Sequence, residues 1–209
     1  MISYALKHPE KLGEALLEHV EMLIIIMLIS IIIVFLLTML SMYSRSFAKS
    51  IIYLFSIIYS IPSLALFAIL IPITGLGETT AIIVLVIYNQ YILLRNFIAG
   101  LEEIDPSIIE AAKGLGMTHL QILFLIRFPL SVKSILTGIR LATVITISMA
   151  TVAAFINAGG LGTILFDGLR TMNIYKIWWG TILSAGLAII SNIILIQIEN
   201  KITRIVHTN

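Results

Sequence analysis

The chain has 209 residues, of which 59% are hydrophobic and 11% charged, with a net charge of +2 and no cysteine. A soluble domain carries about 25% charged residues, so a mean hydropathy of +1.09 excludes one and marks an integral membrane domain. The small net charge argues against a nucleic-acid partner, and the missing cysteines exclude disulfides and thiolate metal sites.

Residues 1–21 carry Glu10, Glu14, Glu18 and Glu21, with Leu12, Leu16, Leu17 and Val20 at helical spacing. That pattern predicts a short external amphipathic lead-in at the membrane surface and does not resemble a cleavable signal. About 20 apolar residues cross the hydrocarbon core, and five segments meet that length: roughly 22–42, 50–73, 79–98, 135–157 and 178–198. The second contains Pro62 and Pro72, and a kink is expected at Pro62, where Ser60 and Ser63 can satisfy freed backbone groups. The third holds Tyr88-Asn89-Gln90-Tyr91 near its centre. Such groups turn toward a cavity or another helix, so they either line a path or gate or hydrogen-bond between helices.

Between the third and fourth segments, residues 99–134 form a polar insert. Asp105-Pro106 is a helix start, with Asp as the cap and Pro in the first turn. Ile108, Ile109, Ala112 and Leu115 then fall on one face of a short helix that ends near Gly116, where positive φ or close packing is permitted. Thr118 and Gln121 form a capping box for a second helix, expected to stop at Pro129. The fourth segment ends at Asn157, and Ala158-Gly159-Gly160-Leu161-Gly162 is a candidate re-entrant turn. Trp178 and Trp179 open the fifth at an interface, where such rings anchor. Gly180, Ser184 and Ala188 form a small-residue stripe, open to internal packing or to a subunit contact. Residues 199–209 read as a tail.

Lys and Arg orient the chain. Arg45, Lys49, Arg95, Lys113, Arg127, Lys133, Arg140, Lys201 and Arg204 fall on one side of five spans, and Lys7, Lys11, Arg170 and Lys176 on the other. This bias predicts a cytoplasmic insert and C-terminus and an external N-terminus. Proton- or ion-driven carriers need ionisable groups in mid-membrane; none of the five segments contains Asp or Glu. Arg95 and Arg140 lie near the cytoplasmic ends, where they can snorkel. No G-x-x-x-x-G-K-[ST] string wraps a nucleotide. His8, His19, His119 and His207 lie outside the spans, which argues against an intramembrane Ser–His pair or His-metal cluster. No catalytic, metal or cofactor site is expected, and any energy source must be another subunit.

Glu110-Ala111-Ala112, three residues, Gly116, nine residues, Ile126, one residue and Phe128-Pro129 resemble the EAA motif of ABC-importer permeases, with Phe128 in place of the usual leucine. SIPSLALFAILIP at 60–72, LLRNFIAGLEEIDPSIIEAAKGLGM at 93–117 and ATVAAFINAGGLGTILFDGL at 150–169 are similar to the glycine betaine/carnitine/choline branch. The likeness covers about residues 50–170; Ile92 departs from it where relatives often carry proline, so no kink follows there. The resemblance implies an all-α membrane protein with the type I ABC-importer permease fold, five transmembrane helices over 22–198 and a cytoplasmic coupling helix. It assigns ATPase coupling to Glu110, Ala111, Ala112, Gly116, Ile126 and Pro129. It makes Pro62, Tyr88, Asn89, Gln90, Tyr91, Asn157, Gly159, Gly160 and Gly162 candidates for path or gate. The implied partners are ABC ATPase subunits holding ATP and Mg, a second permease subunit, identical or paralogous, an extracytoplasmic binding protein, and the lipid of a bacterial inner membrane. The implied cargo is an osmoprotectant such as glycine betaine, carnitine or choline. A methionine or other amino-acid permease is the alternative, and a non-transporting membrane scaffold the alternative of another class.

Overall fold

The computed structural model describes residues 2–42 and 44–208, with side chains from 4 to 204 apart from 43. The described residues are helical throughout, without a strand. In chain order they form α1 (Ile2–Lys7), α2 (Pro9–Ser41), α3 (Arg45–Ser60), α4 (Ser63–Thr74), α5 (Glu78–Glu102), α6 (Pro106–Gly114) and α7 (His119–Ile122). A π turn (Leu123–Arg127) leads into α8 (Phe128–Ala153), and a 3₁₀ turn (Ala154–Ile156) precedes α9 (Leu161–Arg170) and α10 (Ile174–Thr208). Among the described residues, four helical stretches are long and apolar enough to cross a membrane, and the bent pair α3–α4 makes a fifth if it crosses as one unit.

Helix α5 is the axis of the bundle. Of its spanning stretch 67% is buried, against 0% for α10, and α8, α2, α3 and α4 all pack on it. Its most extensive contact is with α8, where small residues replace bulk. A Cβ at Gly100 would stand 2.5 Å from Ser134 Cβ, and one at Gly138 would stand 2.7 Å from Asn96 Cβ. Notches of this kind bring two backbones together where no hydrophobic force between helices is available in lipid.

Four expectations change. From Pro9 the acidic lead-in is the same helix as the first span, and it stands against α9 instead of lying flat. Glu18 accepts the Gly160 N–H at 2.9 Å, and His19, wholly buried, accepts the Leu161 N–H at 3.4 Å through Nδ1. The polar face of this helix thus satisfies the free N–H groups at the start of α9.

Second, Pro62 breaks the helix instead of kinking it: α3 and α4 meet at 96°. The break frees the Ile61 carbonyl, and the Tyr88 hydroxyl of α5 donates to it. A partner from another helix makes a sharp break affordable in an apolar setting.

Third, Pro129 does not end the second insert helix, which continues as one rod from His119 to Ile156. Proline normally clashes with the carbonyl four residues back. The π turn just upstream widens the coil, with the Phe128 N–H bonding to Leu123 O, so Pro129 enters as the first turn of a new α register.

Fourth, α10 carries the predicted tail onward, and Arg140 does not snorkel. Arg140 Nε lies 3.2 Å from Glu199 Oε2, Nη1 lies 3.3 Å from Asn192 Oδ1, and Thr137 donates to Glu199 at 3.0 Å. This knot ties α8 to α10. The small-residue stripe of α10 also faces inward. Gly180 abuts the Leu165 backbone, Ser184 meets Thr151 at 3.3 Å, and Ala188 packs into the core.

At the opposite end of α10, Asp167 gathers Lys176 at 2.7 Å, Arg170 at 3.0 Å and Lys11 at 3.9 Å. The Lys176 and Arg170 hydrogen bonds hold its carboxyl below the usual carboxylate range.

Candidate functional site

Helix α6 is nine residues long and capped at both ends from its own sequence. Asp105 accepts the Ser107 N–H at 2.9 Å, which holds its carboxyl below the ordinary range, and Pro106 fills the first turn. At the other end Gly116 N bonds to Lys113 O at 2.9 Å and Met117 N to Ala112 O at 3.1 Å. These two bonds make a Schellman motif, whose left-handed position is Gly116 at φ +77. A Cβ there would meet nothing within 4 Å, so glycine is required by its φ and not by crowding. The expected Thr118/Gln121 capping box forms, with bonds of 2.8 and 3.3 Å.

A small core fixes α6 to the rod that follows. Ile109, Ala112 and Ile122 are buried together, with Ile104, Met117 and Ile126 around them. Ala112 and Ile126 therefore hold the insert in shape, whereas Glu110 and Ala111 lie on its exposed face. Pro129 stands apart, in the first turn of α8. Ile108 and Leu115 do not share the buried face as expected: both are exposed, Leu115 by 83%. The 3.6-residue period placed Leu115 on the inner stripe, but the helix has already ended there and the cap turns it outward.

The polar run of α5 is inside the bundle. Asn89 Nδ2 donates to Thr146 Oγ1 at 2.9 Å and to Ser30 Oγ at 3.3 Å, while Thr146 returns a bond to Asn89 Oδ1 at 3.0 Å. Gln90 Nε2 donates to Val86 O at 3.0 Å and Ser30 O at 3.4 Å. These groups join α2, α5 and α8 at one level. Such bonds contribute about 0.6 kcal/mol each in membrane bundles. Tyr88 is buried against the helix break, and Tyr91 is half-buried, accepting from Arg95 at 3.2 Å. Tyr59 packs on both rings, with centroids 5.5 Å from Tyr88 and 4.9 Å from Tyr91. Pro62 itself is exposed.

The glycine run forms a tight loop. Asn157, Gly159 and Gly160 all have positive φ, at 63, 84 and 73. Gly162 lies just inside α9, where a Cβ would overlap the Thr151 carbonyl oxygen. Beside the loop, Glu18, Glu21 and Glu78 line a cleft of about 270 Å³. Sequence spacing could not reveal this carboxylate group, because its members come from α2 and α5, far apart in the chain.

A bundle with a capped element projecting between two spans invites comparison with known transporters. Residues 30–204 match the family described as binding-protein-dependent transport system inner membrane component. The chain belongs to this family. Within it, the chain is 38% identical over 160 residues to the carnitine transport permease protein OpuCB of Listeria monocytogenes, spanning 77% of this chain and 73% of that protein. It is 33% identical over 186 residues to the choline transport system permease protein OpuBB of Bacillus subtilis (strain 168), spanning 89% and 86%. Among solved structures, an inward-facing form of the MetNI methionine ABC transporter superposes with a TM-score of 0.79 at 20% identity, covering 89% of this chain and 93% of that one. The fold is thus that of type I importer permeases, and the chain is a multi-pass inner-membrane permease component.

Proposed function

We propose that the chain is the path-forming subunit of an ATP-driven importer for a small quaternary ammonium osmoprotectant such as glycine betaine, carnitine or choline. The observation that carries the ATP-driven part is α6, a rigid, doubly capped element whose outward face offers Ile108, Glu110, Ala111 and Leu115. An exposed apolar tip on a folded connector suits insertion into a cleft of a separate ATPase, which would hold ATP and Mg. The names of the carnitine and choline permeases support the cargo. The carboxylates at the opposite end add negative charge that attracts the positive end of such a solute.

In this reading the insert and C-terminus are cytoplasmic and the N-terminus external, as the Lys and Arg bias supports. Two permease chains, identical or paralogous, enclose the path, and an external binding protein delivers solute near the Asn157–Gly162 loop. Closure of the ATPase pair draws the two inserts together, and the rod from His119 to Ile156 carries that displacement across the membrane. The break at Pro62 and the half-buried Tyr91 remain available to the path, while Tyr88, Asn89 and Gln90 brace it from behind.

Uptake of labelled choline by cells carrying the assembled system tests the cargo. Excess glycine betaine or carnitine is expected to compete, and methionine is not. Competition by methionine alone would assign the system to amino acids, and purification without any ATPase would favour a scaffold.

A further inference from the structure

Where α2 ends beside the insert, a groove of about 370 Å³ opens between the last turns of α2 and the start of the α7–α8 rod. Its floor is apolar, with Met39, Met42 and Leu120 among its walls, its cationic groups are Lys113 and Arg127, and His119 adds an imidazole hydrogen-bond donor. Among the described residues no carboxylate lines it, and none of these three side chains forms an ion pair. Lys113 and Arg127 also border the neighbouring cavity toward α3 and α5, which Glu102 and Glu110 line; there Glu102 lies 3.9 Å from Arg45, and neither carboxylate pairs with Lys113 or Arg127.

The level of the groove identifies its occupant. Met39 belongs to the first span, and Phe35, Met39 and Met42 share one face of that helix. The groove therefore sits at the edge of the hydrocarbon on the insert's side. Between the same two helices Phe35 meets Phe128 at 5.6 Å, and Phe124 stacks on Phe128 at 5.8 Å. On the same helical segments Leu40 and Phe124 remain 55% and 50% exposed. A cationic rim above an apolar channel at headgroup depth is complementary to a phosphate that carries acyl chains.

We propose that this groove binds one anionic phospholipid, its phosphate held by Lys113, Arg127 and His119 and its chains lying along α2 and the α7–α8 rod. The outward face of α6 stays free, because Ile109 on the opposite, buried side lines the groove.

The test uses the full chain, purified with the subunits that assemble on it, in nanodiscs of mixed phosphatidylglycerol and phosphatidylcholine, with retained lipid counted by native mass spectrometry. Wild type is expected to retain phosphatidylglycerol selectively, and each of K113Q and R127Q to lower that preference about fivefold. M39W, which fills the groove and leaves the cations in place, is expected to abolish it. Equal retention by wild type and the K113Q/R127Q double variant would overturn the proposal, as would undiminished retention in M39W. Displacement of the lipid by millimolar inorganic phosphate would overturn it too, since it would show a site for a free anion. So would loss of the lipid whenever other subunits are bound, which would make the groove a protein contact.

Discussion

Gly162→Ala is expected to disable the fold although it adds a single methyl group. The new Cβ would overlap the Thr151 carbonyl oxygen and lie 2.6 Å from Ala154 Cβ, so α9 would have to slide away from the end of α8. It has nowhere to go. On its other side α9 is held by Gly168, whose Cβ would stand 2.8 Å from Ile177 N, and by Gly180 of α10, whose Cβ would stand 2.9 Å from Leu165 N. Overpacking of this kind costs about 1–3 kcal/mol or more where backbone is the obstacle. Thermal unfolding of purified protein should show a large loss for Gly162→Ala, and its expression should fall. Gly13→Ala is the control, since it sits in helix α2 with nothing within 4 Å. It should be neutral or stabilising by about 0.5–1 kcal/mol. Equal behaviour of the two variants would contradict the packing described for α9.

Glu199→Leu should be the most damaging change among the charged residues. Arg140 and Glu199 are only 23% and 12% exposed, and removing the carboxylate leaves the guanidinium with Asn192 alone. Stranding one member of a buried pair costs about 3–5 kcal/mol; partial exposure brings the expectation to about 2–3 kcal/mol. The Arg140→Leu/Glu199→Leu double variant should recover most of the loss, because an apolar pair needs no counter-charge in lipid. Thermal melts of the three proteins in one detergent measure this. A double variant no more stable than Glu199→Leu would show that the pair is not what joins α8 to α10.

How much of this was legible in the sequence depends on the distance over which each interaction acts. The caps of α6 were readable, because Asp105 to Ser107 and Thr118 to Gln121 are contacts within a single turn. Helix α5 was readable from its apolar length, and its observed range, Glu78–Glu102, extends the expected 79–98 at the insert end. Prolines were the weak point. Whether Pro62 kinks or breaks a helix depends on a partner for the freed carbonyl, and that partner, Tyr88, is on another helix. Whether Pro129 stops a helix depends on a π turn that local propensity does not encode. The acidic stripe of the lead-in is exposed, as its spacing predicts, but its continuity with the first span and the bond from the Gly160 N–H to Glu18, 142 residues away, are announced by no local pattern. Arg140 and Glu199 are 59 residues apart, and nothing in either segment announces the other. For the site, the motif residues were visible, but the protruding Leu115 was not, since only the Schellman cap turns it outward.

Gly116 isolates the proposed transmission of work from an ATPase through α6 to this chain. Its φ of +77 ends α6 and its Cβ direction is open, so a larger residue disturbs the tip of the insert without crowding the bundle. Leucine resists that conformation by about 1–2 kcal/mol, whereas asparagine tolerates it. The decisive measurement is the number of solute molecules imported per ATP hydrolysed, in proteoliposomes holding the assembled complex. Gly116→Asn is expected to keep a ratio close to wild type. Gly116→Leu is expected to keep hydrolysing ATP with import near background. An assembled Gly116→Leu complex that imports solute at the wild-type ratio would contradict the account.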